Sequence, residues 1–79
     1  MRNSRPTQAQ RVLSYIAEFG GITQYEALRD LGVMRLASRI SELRKNGHEI
    51  TSEWVTVENR FGERCKVKRY ITRRAEDEL

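Results

Sequence analysis

Cysteine, proline, tryptophan and histidine each occur once in this 79-residue chain. A lone Cys65 excludes an internal disulfide. A lone His48, in a turn after Gly47, has no second histidine or cysteine at metal-ligand spacing, so no metal site is expected. The single proline, Pro6, stops any helix from extending back into the first residues. No run of 18 apolar residues exists, and no apolar stretch reads as a signal peptide, which argues against a membrane partner and against secretion. With the free thiol this favours a reducing compartment, a cytoplasmic location in a bacterial host. Neither Gly20-Gly21 nor Gly62 belongs to a phosphate-cradling loop. Cys65 has no resolving cysteine and is expected to face the core as a small hydrophobe. No cofactor is expected, and nothing points to an enzyme.

The chain is 38% hydrophobic and 33% charged, too apolar in its periodic segments for disorder. Its length suits one domain near the lower limit at which a single core holds itself together. A net charge of +4 and a pI near 9.7 point to an anionic partner. The charge is unevenly placed: residues 1–11 carry +3, 12–32 carry −2, 33–48 carry +3, 49–59 carry −3, 60–74 carry +6 and 75–79 carry −3. Cationic side chains thus gather on an N-terminal arm, on the segment after Gly32 and on a late segment.

Taken in order, residues 1–6 read as a flexible basic arm. Thr7 and Gln10 have capping-box spacing, and Val12, Leu13, Ile16, Ala17 and Phe19 follow at helical intervals until Gly20-Gly21. Gly21-Ile22-Thr23 has room for a very short edge strand. A second capping box, Thr23 with Glu26, opens another helix, with Tyr25, Ala27, Leu28 and Leu31 as its inner face. Gly32 offers the left-handed backbone that ends a helix without strain. Val33, Leu36, Ile40 and Leu43 then define an apolar stripe on a third helix of about Val33 to Lys45. Two helices joined at a glycine, the second rich in cations, form a helix-turn-helix pattern.

Beyond Gly47 the period changes to two. A hairpin turning about Arg60-Phe61 would set Ile50, Trp54 and Thr56 opposite Ile71, Val67 and Cys65 on an apolar face. Glu53, Val55 and Val57 would then oppose Lys68, Lys66 and Arg64 on the other. In that register Trp54 anchors the ribbon over the helices, and Phe61 packs back across the turn or wedges against sugar or base. The fold class is α+β, a winged helix-turn-helix of three helices followed by a two-stranded β-hairpin wing. The domain spans 7–71, and 72–79 form a polar tail.

Three stretches also carry a resemblance: ITQYEALRDLG, RISELRKNG and WVTVENRFGE. Together, over about residues 7 to 71, they resemble the small phage-encoded helix-turn-helix proteins. The resemblance implies a DNA-binding domain, with Gln24, at the start of the second helix, among the DNA-binding residues and the tip of the hairpin at Asn59 to Glu63. The chain departs from the older repressor spacing, since Gly32 follows Ala27 by five residues instead of four. That departure favours the winged variant.

On a helical projection the side opposite Leu36, Ile40 and Leu43 carries Met34, Ser38, Ser41, Glu42 and Lys45, flanked by Arg35 and Arg39. Such a helix suits the major groove of double-stranded DNA, where arginine can bond guanine and serine can give or take a hydrogen bond. Glu42 either accepts from a cytosine amine or props Arg35 or Arg39. Arg60, Lys66 and Lys68 on the ribbon suit phosphates or a minor groove, as do Arg2 and Arg5 on the arm. The expected activity is double-stranded DNA binding by a phage or prophage regulator or an architectural or excision factor. The alternative is a module that docks on a host or phage protein. Oligomeric state is left open between a monomer and a weak dimer on DNA.

Overall fold

Thr7 starts the first helix by the reciprocal bonds its spacing predicts: its hydroxyl accepts from the Gln10 amide at 3.1 Å, and the Gln10 side chain accepts from the Thr7 amide at 2.8 Å. The structure is a computed structural model and describes residues 7–72. The expected basic arm with Arg2 and Arg5 and the expected 72–79 tail lie outside the described residues, except that Thr72 belongs to the last strand and not to a tail.

Helix α1 (Gln8–Phe19) ends at Gly20 and is followed by strand β1 (Ile22–Thr23). Thr23 then repeats the capping box with Glu26 and opens α2 (Gln24–Glu26), which widens into a π-helical stretch (Ala27–Leu31) ending at Gly32, φ 71°. Helix α3 (Leu36–Lys45) follows, and strands β2 (Ile50–Glu58) and β3 (Arg64–Thr72) close the fold. The sheet is antiparallel with order β1-β3-β2, so the edge strand makes it three-stranded and the β2–β3 hairpin is the wing. The architecture is an α+β winged helix.

Val12 and Ile16 of α1, Ile22, Ala27, Val33, the α3 residues Leu36, Ile40 and Leu43, and Ile50 form one buried cluster. The expected helix stripes supply most of it, at the spacing that keeps them on one face. Tyr25 and Leu28 are corrections: they are exposed, Tyr25 by 67%, while Ala27 is fully buried. The π-helical stretch beginning at Ala27 has a wider turn than 3.6 residues, so the stripe projected for a regular helix does not apply. Ala17 and Phe19 are likewise exposed, at the end of α1 beyond the core. Tyr15 ties α1 to this stretch by donating to an Asp30 oxygen at 2.6 Å, and Arg29 pairs with Asp30 at 2.7 Å. The bonds from Arg29 and then Tyr15 hold the Asp30 carboxyl down at about 2, and the same carboxylate pushes the Tyr15 hydroxyl up.

The third helix starts at Leu36, not at Val33. The Val33 amide donates to Ala27 O at 3.0 Å and its carbonyl accepts from the Gln24 side chain at 3.0 Å, so Val33 belongs to the turn although it is buried.

The hairpin register differs from the expected one by one residue. Trp54 stands opposite Lys68, Thr56 opposite Lys66, Val55 opposite Val67 and Val57 opposite Cys65. The cause is the loop. Asn59 N–H bonds Glu63 O at 2.9 Å and Gly62 N–H bonds Asn59 O at 3.0 Å, with Gly62 at φ 79°. This is a three-residue connection, a turn followed by a left-handed glycine, where a two-residue turn was expected. One extra loop residue exchanges the faces of one strand relative to the other. Trp54 keeps the face of Ile50, with Lys68 instead of Val67 opposite it, and is 66% exposed, the Lys68 ammonium lying 5.4 Å from its ring centre. Lys66 and Lys68 share the face that carries Ile50 and Tyr70 at the base of the sheet, and they are exposed because the wing runs beyond the helices. Cys65, half-buried, lies on the opposite face with Val55, Val57 and Val67.

Trp54→Ala is accordingly expected to lower stability by only about 0.5 to 1 kcal/mol, the scale of an exposed cation–π contact. A thermal melt checks this. A loss of about 3 kcal/mol or more would mean that the indole is buried after all.

Candidate nucleic-acid interface

The turn between α2 and α3 is clamped by one side chain. The Gln24 amide group donates to Val33 O at 3.0 Å, and its oxygen accepts from the Leu36 amide, also at 3.0 Å. Arg35, the residue before α3, has no side-chain oxygen with which to cap the helix, so Gln24 serves from 12 positions upstream. Gln24 was expected among the DNA-binding residues; in the structure both ends of its amide are engaged in holding the angle at which α3 leaves the turn.

Met34 and Arg35 lie in that turn ahead of α3, exposed, Met34 by 76%. Along α3 the buried stripe Leu36, Ile40 and Leu43 leaves Ser41, Glu42 and Lys45 exposed and Ser38 half-exposed on the other side. Arg39 sits on the flank toward α1. Its Nη2 pairs with Glu42 at 2.9 Å, its Nη1 reaches Gln8 Oε1 at 3.4 Å, and its Nε is buried without a partner among the described residues. Arg39 is therefore committed twice, to Glu42 as its spacing of three allowed and to Gln8, which the sequence did not reveal. Among the described residues Arg35 makes no ion pair. On the other flank Arg44 donates to Ile50 O at 3.0 Å and ties the end of α3 to the start of β2.

The wing is braced at its base by Arg69, which pairs with Glu53 at 3.3 Å and donates to Phe19 O at 3.3 Å. The guanidinium lies against Gly21, where a Cβ would stand 2.5 Å from Arg69 Cζ, so the second glycine of the pair makes room for a side chain 48 positions away. At the other end Asn59 organises the tip. Its Oδ1 accepts from the Phe61 and Glu63 amides at 2.9 and 3.0 Å, and its Nδ2 donates to Glu63 Oε1 at 3.0 Å. Arg60 is exposed at this tip, and Phe61 is 79% exposed instead of packing back across the turn.

A groove runs between the start of α2, the first turn of α3 and the wing, lined among others by Tyr25, Leu36, Ala37, Val55, Val67 and Arg60. The first turn of α3 and the tip of the wing thus border one concavity. Arg29, Lys68 and Arg69 add positive charge to its walls. Its acids include Glu26, which accepts from the Thr23 amide at 3.0 Å. Tyr25 and Trp54, both exposed, are residues that sequence reasoning assigned inward, and Phe61, which it left between packing back and wedging against DNA, is exposed as well. The available signal was the Asn-Arg-Phe-Gly-Glu spacing, which suits a turn with a left-handed fourth residue. No group of histidine, cysteine or acidic side chains able to hold a metal occurs among the described residues, and no described helix is long and apolar enough to cross a membrane.

A family model described as a winged helix-turn-helix domain matches residues 7–74. No curated protein and no solved structure matches the chain.

Proposed function

Because the chain belongs to the winged helix-turn-helix domain family, we propose that it binds double-stranded DNA with α3 in the major groove and the wing on the adjoining backbone. The observation that carries this reading is the outward side of α3. It is polar and cationic, with Ser38, Ser41 and Lys45 behind an exposed Arg35, and its one acid, Glu42, is neutralised by Arg39 at 2.9 Å. Serines give or accept hydrogen bonds at base edges, and an arginine free of other partners can bond guanine through two nitrogens. Arg60, Lys66 and Lys68 are suited to phosphates, which orient a protein without reading sequence. The protein acts without catalysis as a regulator or architectural factor of phage or prophage origin, in the cytoplasm.

Enriching random duplexes on the purified protein at moderate salt tests the reading. Recovery of a shared motif is the expected result. If no duplex is retained even at low salt, DNA is the wrong partner and a protein surface takes its place.

Glu42 gives a finer check. The Arg39 pair is half-exposed, so its contribution to folding is small, about 0.2 to 1 kcal/mol. Facing phosphates, however, the carboxylate opposes binding by about 0.5 kcal/mol per phosphate at ~8 Å in water. Glu42→Gln is therefore expected to tighten binding to every duplex roughly twofold while the base preference survives. Loss of preference at a single C·G pair would instead assign Glu42 to a cytosine amine.

A further inference from the structure

We propose that Phe61 is a wedge: with the wing in the minor groove beside α3, its ring inserts between two base pairs and kinks the duplex. The inference rests on the duplex-binding reading above. Phe61 is the most exposed large apolar side chain of the described residues, at 79%, and it stands at the apex of the hairpin. It is also held in place. The Phe61 amide donates to Asn59 Oδ1 at 2.9 Å, and the same oxygen takes the Glu63 amide at 3.0 Å. Backbone bonds Asn59 N–H to Glu63 O and Gly62 N–H to Asn59 O close the loop on both sides. A ring on a backbone so fixed loses little further freedom when it inserts, which is the advantage of preorganisation.

The charges around it fit the same use. Arg60 precedes Phe61 and Arg64 begins β3, both exposed, so cations stand ready for the phosphates on either side of an opened step. The acids at the tip are answered: Glu63 accepts from Asn59 Nδ2 at 3.0 Å, and Glu58 is the direct cross-strand partner of Arg64. Asn59 and Arg60 border the same groove as Leu36 and Ala37, so the tip and the start of α3 can meet one duplex. Inserting an apolar side chain unstacks a step and bends DNA toward the major groove, which brings more of the duplex against the protein. Trp54, in mid-strand with Lys68 over its ring, is not placed to do this.

Energy transfer between dyes at the two ends of a short duplex, with affinity measured in parallel, tests the wedge. The parent protein is expected to bend the duplex by about 20 to 90°. Phe61→Ala is expected to melt as the parent does, to lose most of the bend, and to bind the intact duplex about tenfold more weakly. It should regain affinity on a duplex carrying one unpaired base at the contact, where the step is already unstacked. Phe61→Leu, which keeps an apolar wedge, should retain most of the bend. A Phe61→Ala protein that bends DNA as the parent does overturns the proposal. So does a parent that binds duplex without bending it, a result that leaves duplex binding intact. A parent that binds no duplex overturns both.

Discussion

Leu36→Ala is expected to cost about 2 to 5 kcal/mol of folding stability, the range for truncating a close-packed leucine. Leu36 is fully buried and lies at the first turn of α3, where its amide is held by Gln24. Removing its side chain leaves a void in the cluster it shares with Val12, Ile16, Val33 and Ile40, and the clamp limits how far the backbone can relax into it. At roughly 0.05 to 0.15 kcal/mol per residue a domain of this size has only some 4 to 12 kcal/mol in total, so the variant loses a large share of it. A fall in melting temperature of about 10 °C or more is expected, at about 4 to 8 °C per kcal/mol. Ile40→Val, which removes one methyl from the same stripe, should cost about 0.5 to 1.5 kcal/mol. If Leu36→Ala melts within about 3 °C of the parent, α3 is not seated on this core.

Duplex affinity is expected to fall about a thousandfold between ~50 and ~200 mM salt. Apart from Arg35, which is assigned to a base, the exposed cations of α3 and the wing are Arg44, Lys45, Arg60, Arg64, Lys66 and Lys68. Each phosphate neutralised releases counterions and contributes about −0.9 to the slope of log affinity against log salt, so six give a slope of about −5. Fluorescence anisotropy on a labelled duplex across that salt range measures it. Lys66→Ala and Lys68→Ala should each make the slope shallower by about one and weaken preferred and random duplexes alike. A slope near zero with affinity retained would mean that the basic side chains are not on the backbone and that the wing faces elsewhere.

Much of the site was legible because its elements are specified by neighbours. The side-chain types on the outward face of α3 follow from the Leu36, Ile40, Leu43 stripe alone, since a helix puts what is not on that stripe elsewhere. Which of those side chains are at liberty was legible only in part. Glu42 follows Arg39 by three residues and Arg35 by seven, so the pair with Arg39 was open to the sequence. Only the packing of α3 against the start of α1 brings Gln8 to Arg39 and leaves Arg35 without an ion pair among the described residues. Gln24 was placed among the DNA-binding residues at a helix start, and its use as a clamp depends on bonds to residues 9 and 12 positions on, across a turn whose path was unknown.

The sequence by itself determined three helices and their ends apart from the start of α3, because capping boxes at Thr7 and Thr23 and the stop at Gly32 act over three or four residues, and such local interactions form in any fold that contains them. It also determined that a hairpin follows, with a wing after a helix-turn-helix. The register of that hairpin was decided in three dimensions. Either alignment of β2 with β3 sets apolar residues against apolar ones, Trp54 with Val67 or Val55 with Val67, so alternation alone cannot choose. The choice falls to the Asn59–Glu63 closure at one end and to the pairing of Ile22 with Tyr70 at the other, the second of which joins residues 48 positions apart. That choice sets Lys68 beside Trp54, which is exposed because the wing runs beyond the helices, and puts Arg69 against Gly21.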